Sequence, residues 1–147
     1  ITIAKGMGSG FPIGGLLLSE EFKASYGLLG TTFGGNHLAC AAGLAVLEVI
    51  EAERLQQKAL ELGDRLMAEL RAIPGVMAVR GKGLMIGLDL NQDAGPIRSL
   101  LVSKYKMFTG SAAGKETIRL LPPLTIEWNQ LHSFVVALKE ILGSETH

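Results

Sequence analysis

Ile1-Thr2-Ile3-Ala4-Lys5-Gly6-Met7-Gly8-Ser9-Gly10-Phe11-Pro12-Ile13-Gly14-Gly15 opens the chain. The apolar start reads as the end of a strand, with Lys5 at its close and a glycine-rich run behind it. At a side-chain period of 2, Ile1, Ile3 and Lys5 share a face. That spacing places the lysine amine on a buried surface, where desolvation favours its neutral form. Residues 12–18 read as a second buried strand. Both lack sheet partners in the neighbouring sequence, and unpaired strands of this kind invite association.

Moving outward, Ser19-Glu20-Glu21 reads as a helix start, with Ser19 as N-cap and the two glutamates favourable to the dipole. That helix is short and ends near Tyr26-Gly27. A second glycine-flanked cluster follows, Gly30-Thr31-Thr32-Phe33-Gly34-Gly35-Asn36. Asn36 is a good N-cap for a long helix. Its alanine-rich core, with Ala39, Ala42, Gly43, Val46, Val49 and Ile50 at spacings of three and four, predicts close packing on both sides. Glu51 to Arg54 reads as a joint, and Leu55 to Ile73 as a second amphipathic helix stopped by Pro74-Gly75.

Beyond it strands and helices alternate. Residues 76–80 and 84–90 read as strands joined by Gly81-Lys82-Gly83, 96–105 as a short helix, and 106–109 and 117–121 as strands. Residues 126–142 read as a terminal helix. The pattern makes residues 53–147 a small α+β unit, with its boundary near residue 52, within or just after the long helix. There are no internal repeats.

Bulk properties exclude several classes. The 147 residues are 48% hydrophobic, and Lys+Arg and Asp+Glu each total 14, so the net charge is zero. Nothing in that balance points to nucleic acid or an anionic membrane. The one cysteine, Cys40, cannot form an internal disulfide and fits a reducing cytoplasm. No apolar run approaches the roughly 18 residues of a membrane span. The chain starts inside a strand, without an initiator methionine, which suggests a fragment of a longer protein.

Three places carry chemistry. Lys5 is either a strand-end lysine in solvent or an amine placed to form a Schiff base with a carbonyl compound. The hydroxyls of Thr31 and Thr32, with N–H groups beside Gly34 and Gly35 and a helix start at Asn36, are either a capped glycine loop or a cradle for a phosphate dianion. An aldehyde and a phosphate together describe pyridoxal phosphate. Arg119, in the apolar strand Ile118-Arg119-Leu120-Leu121-Pro122-Pro123, needs a carboxylate from the protein or from a ligand. Neither glycine run is a nucleotide signature: a Walker A lysine follows its glycines, and Gly81-x-Gly83-x-x-x-Gly87 misses the dinucleotide spacing. His37 reads as a first-turn helix residue, Cys40 as core and His147 as a disordered end; with His132, the histidines show no metal-ligand spacing. Met7 and Met85 read as packing, and Arg80 and Lys82 as solvated flanks of a turn.

Taken together, the segments resemble the class III (ornithine-type) aminotransferases, pyridoxal-phosphate enzymes of fold type I. The match is best to the branch that acts on acetylornithine and succinylornithine. Residues 4–14 resemble the family's segment around the Schiff-base lysine, and residues 30–40 its phosphate loop, where proline is more usual than His37. Residues 79–87 and 118–124 resemble two further stretches. The resemblance implies a C-terminal part of that fold, a remnant of the large α/β domain followed by the small C-terminal domain. It implies that Lys5 is the Schiff-base lysine, that Thr32 with Thr31 binds the cofactor phosphate of a neighbouring subunit in a homodimer, and that Arg119 holds the substrate α-carboxylate. It further implies amino transfer from an acylornithine to 2-oxoglutarate in cytoplasmic arginine biosynthesis. The other pocket residues lie upstream in that family, so the 147 residues alone are expected to be inactive. Other class III substrates (ornithine, 4-aminobutyrate) and a non-catalytic α+β interaction domain are the competing readings.

Overall fold

The computed structural model describes residues 1–23, 25–28 and 30–144, so His147 lies outside the described residues. They form a mixed α/β fold with four α-helices and two antiparallel sheets. The chain divides into two compact units, Ile1–Arg54 and the residues from Leu55 onward.

In the first unit, β1 (Thr2–Ile3) pairs with β2 (Gly15–Leu16), Thr2 opposite Leu16 and Ile3 opposite Gly15. The expected strands are both shorter than their apolar runs. Lys5 is not on a buried strand face: it begins a 3₁₀ turn, Lys5–Gly8, and is exposed. Its φ of 62° lies in the left-handed region, so the chain leaves the strand direction at the lysine. Gly8 is buried within the turn, where a β-carbon would stand 2.7 Å from Ile13 Cγ2. Leu16, Leu17 and Leu18 are exposed rather than buried, because a pair of two-residue strands offers them no covering layer in this unit. The short helix expected after Ser19 is replaced by turns among the described residues. Ser19 Oγ accepts from Glu21 N at 3.4 Å and Ser19 O from Phe22 N at 3.1 Å, so the serine closes a turn instead of capping a helix.

Helix α1 (His37–Ala52) has Asn36 as its N-cap, as its sequence predicts. Asn36 Oδ1 accepts from Ala39 N at 2.9 Å, and its Nδ2 donates to Phe33 O at 2.9 Å. Only Ala39 and Gly43 of α1 are buried, so it packs on one narrow stripe and not on two sides. Cys40 falls off that stripe and is exposed, against the expectation of a core position.

The second unit is a four-stranded antiparallel sheet covered by helices. Its strands are β3 (Val76–Lys82), β4 (Met85–Leu90), β5 (Gly110–Ser111) and β6 (Thr117–Leu120), in the order β3-β4-β6-β5. Helix α2 (Leu55–Arg71) precedes the sheet, α3 (Ala94–Ser103) links β4 to β5, and α4 (Trp128–Ser144) closes the unit. Alternation sorts the faces. Ile86, Leu88 and Leu90 of β4 are buried with Ile118 of β6, against Leu66 and Leu70 of α2, Ile97 and Leu101 of α3, and Val135 and Leu138 of α4. Helix α2 reaches the hairpin through glycine, since a β-carbon on Gly63 would stand 2.1 Å from Gly83 O. Met85, expected to pack, lies on the other face and is 67% exposed.

Residues 106–109 do not form the expected strand. Lys106 has a φ of 57°, Met107 N donates to Leu101 O at 2.9 Å, and Lys106 Nζ donates to Ser103 O at 2.7 Å. Those bonds satisfy carbonyls at the end of α3, so the segment terminates a helix and pairing starts only at Gly110.

Candidate active site

Lys5 stands on a turn seated against α1. A β-carbon on Gly43 would lie 3.1 Å from Ile13 Cδ1 and 3.9 Å from Met7 O, and one on Gly15 would lie 3.6 Å from Met7 Cε. Met7 therefore packs, as expected, and the small residue at 43 lets the turn approach the helix closely. Around Gly6 a β-carbon would meet nothing within 4 Å. Among the described residues the Lys5 amine makes no hydrogen bond or ion pair.

The same helix carries the hydroxyl loop at its N-terminus. Gly43 lies two turns after Asn36, roughly 10 Å along the axis. Thr31 and Thr32 are exposed, and among the described residues they, Gly34 and Gly35 have no hydrogen-bond partners. A β-carbon on Gly34 would stand 2.1 Å from Thr31 Cγ2 and force that side chain to turn; Gly35 takes a φ of 69°. The loop thus presents free hydroxyl and N–H donors at a helix start whose first turn holds no acidic residue. That donor set fits a phosphate dianion, and a free, accessible primary amine fits an aldehyde. The residues present therefore fit pyridoxal phosphate.

Arg119 belongs to the second unit. One row crosses the sheet: Arg80 of β3 faces Gly87 of β4, Gly87 faces Arg119 of β6, and Arg119 faces Gly110 of β5. Each arginine lies over the glycine beside it. A β-carbon on Gly87 would be 3.7 Å from Arg80 Cζ, and one on Gly110 would be 3.0 Å from Arg119 Nε. The face carries two guanidinium groups; the Asp89 carboxylate stands against Arg80, and Glu116 is near enough to act on Arg80 as well. Arg80 is not merely solvated: it is paired with Asp89 Oδ2, while Asp89 Oδ1 accepts from Thr117 Oγ1 at 2.7 Å. These two hydrogen bonds, from Arg80 first and Thr117 second, hold the Asp89 carboxyl below its ordinary pKa, and Asp89 raises that of Arg80. The Arg119 side chain has no hydrogen bond or ion pair among the described residues. The Asp89 link was not read from the sequence; its signal is the spacing of two between Gly87 and Asp89, which puts both on one face.

Among the described residues no group of three or more His, Cys, Asp or Glu is placed to hold a metal, and no helix is long and apolar enough to cross a membrane.

Residues 1–142 match the family model for class-III aminotransferases, and the chain belongs to that family. An acetylornithine aminotransferase of Oceanobacillus iheyensis is 38% identical over 157 aligned positions, covering all of this chain and 39% of that one. The chain thus spans about two fifths of the length of that relative. An ornithine δ-aminotransferase structure from Plasmodium falciparum superposes with a TM-score of 0.81 at 28% identity, over 97% of this chain and 39% of that one. An amine transaminase from an uncultivated Pseudomonas species, solved with pyridoxal phosphate bound, gives 0.76 at 30% identity over 94% and 36%. Class III aminotransferases are in general pyridoxal-phosphate enzymes.

Proposed function

We propose that this chain carries the Schiff-base lysine and a substrate-binding arginine of a pyridoxal-phosphate-dependent aminotransferase. Its donor is N-acetylornithine or N-succinylornithine, and its acceptor is 2-oxoglutarate. On this reading it serves arginine biosynthesis in the cytoplasm as a homodimer. Residues 1–52 correspond to the end of the large cofactor-binding domain, and 53–147 to the small C-terminal domain. The observation that carries the reading is the unpartnered amine of Lys5, on a turn packed against the helix that starts at the hydroxyl loop.

Bound pyridoxal phosphate supplies an aldehyde that takes up amino groups and a ring that withdraws electrons from the reacting carbon. Lys5 would hold the aldehyde through Nζ, and the same Nζ would accept and return the substrate's proton. Thr32, with Thr31, would donate hydroxyl hydrogen bonds to the phosphate. Arg119 clamps the substrate α-carboxylate in a bidentate pair and so fixes its orientation.

Relatives named acetylornithine and ornithine aminotransferase are equally similar, at 38% and 39% identity, so the acylornithine reading leans on Leu120-Leu121 between Arg119 and Pro122 and on Thr31-Thr32-Phe33. Relatives are more than twice this length, so the 147 residues by themselves turn over no substrate. The test compares N-acetylornithine, N-succinylornithine and ornithine with 2-oxoglutarate, in the longest chain the gene encodes and in these residues alone. Turnover of an acylornithine by the former and none by the latter is expected. A preference for ornithine would move the assignment within the family. Turnover by the 147 residues would refute the proposed inactivity.

A further inference from the structure

Asp89 stands one diagonal step from each of the two arginines. It faces Ala78 of β3 and Thr117 of β6, while Gly87, two residues earlier on the same face, lies between Arg80 and Arg119. Diagonal neighbours on one sheet face are about 7–8 Å apart, within reach of an arginine side chain. By register, then, one carboxylate can serve either guanidinium. The side chains choose between them. Asp89 Oδ2 pairs with Arg80, and Asp89 Oδ1 accepts from Thr117 Oγ1 at 2.7 Å. Thr117 is 4% exposed, so its hydroxyl is a buried anchor for that oxygen. The Arg119 side chain lies the other way, over Gly110 of β5, and stays unpaired among the described residues.

A guanidinium beside an idle carboxylate pairs with it, and an incoming carboxylate must then break that pair to bind. Two residues keep Asp89 from being idle. Arg80 neutralises its charge, and Thr117 takes the oxygen turned to β6, the side on which Arg119 stands. We propose that Arg80 and Thr117 are positioning residues, which occupy Asp89 and so leave Arg119 free for the substrate carboxylate. This rests on the reading of Arg119 as the carboxylate holder and assigns what keeps that arginine available. Neither residue touches the substrate in this role.

The test is steady-state kinetics of the longest chain the gene encodes, with its preferred donor and 2-oxoglutarate. R80M keeps a long stem over Gly87 and removes the charge; T117V keeps the shape and removes the hydroxyl without altering any charge. Each is expected to raise the donor KM, R80M about three- to fivefold and T117V about twofold, with kcat within a factor of about two. D89N added to either variant should return KM to the wild-type value, because it removes the competing charge. A rise that D89N does not reverse would mean damage to the strands and would overturn the proposal. A rise in R80M with none in T117V would mean a change of field alone and would also overturn it. Wild-type KM in both variants, beside a raised KM in R119Q, would overturn it while leaving Arg119 a carboxylate holder. An unchanged KM in R119Q would remove both readings.

Discussion

Arg119 lies across Gly110, with its Nε 3.0 Å from where a β-carbon on that glycine would stand. The missing side chain on the edge strand is what leaves room for the guanidinium. Gly110→Ala is expected to push Arg119 aside and weaken carboxylate binding several-fold. The thermal midpoint should move by only a few degrees, because the arginine is exposed and can give way. The KM for the acylornithine donor in the longest chain the gene encodes checks this; an unchanged KM would show that Gly110 does not set the arginine's path.

The Asp89 link makes a pH prediction. The Asp89 carboxyl is held below its ordinary value of 3.8, first by Arg80 and then by Thr117. A carboxyl with a depressed folded-state pKa adds stability above its unfolded pKa and loses it as pH falls through the folded one. The wild-type chain should therefore lose stability as pH drops below about 4, and Asp89→Asn should flatten that part of the curve. Denaturant midpoints at pH 7 and pH 3 measure it. An identical acid dependence in both proteins would show that the pair contributes nothing.

Gly63 and Gly83 mark the closest approach of α2 to the β3–β4 hairpin. A β-carbon on Gly63 would meet Gly83 O at 2.1 Å, and a backbone atom cannot yield as a side-chain tip can. Gly63→Ala, at a helical position that otherwise favours alanine, should destabilise the second unit by about 2–3 kcal/mol. Equilibrium unfolding in urea reads this out, and a stabilised variant would contradict the packing.

Thr32 tests the hydroxyl loop. A hydrogen bond to a charged phosphate is worth about 1.5–3 kcal/mol, so Thr32→Val should weaken pyridoxal phosphate binding by roughly ten- to a hundredfold. The measurement is cofactor affinity by fluorescence in the longest chain the gene encodes. Equal affinity would remove Thr32 from the phosphate site.

The second unit was largely legible in the sequence because its elements are amphipathic and close on their own core. The stripe of α2, the β3–β4 hairpin and the alternation of Ile86, Leu88 and Leu90 follow directly from period. The first unit was misread where burial was inferred from apolarity. Leu16 to Leu18 look like a buried strand, yet β2 is two residues long and leaves them exposed. Lys5 was placed on a strand because period cannot foresee a left-handed residue ahead of glycine. Residues 106–109 have strand-like composition, but the open carbonyls of α3 claim them. At the site, Lys5, Thr32 and Arg119 stood out by residue type against glycine or apolar surroundings. Asp89 did not, because its meaning lies in cross-strand register.

The most direct test asks which lysine takes the cofactor. The longest chain the gene encodes is incubated with pyridoxal phosphate, reduced with borohydride, digested and mapped by mass spectrometry. The phosphopyridoxyl group is expected on Lys5 alone, and Lys5→Ala should leave no modified peptide. Stoichiometric labelling of another lysine, or labelling that persists in Lys5→Ala, would contradict the assignment.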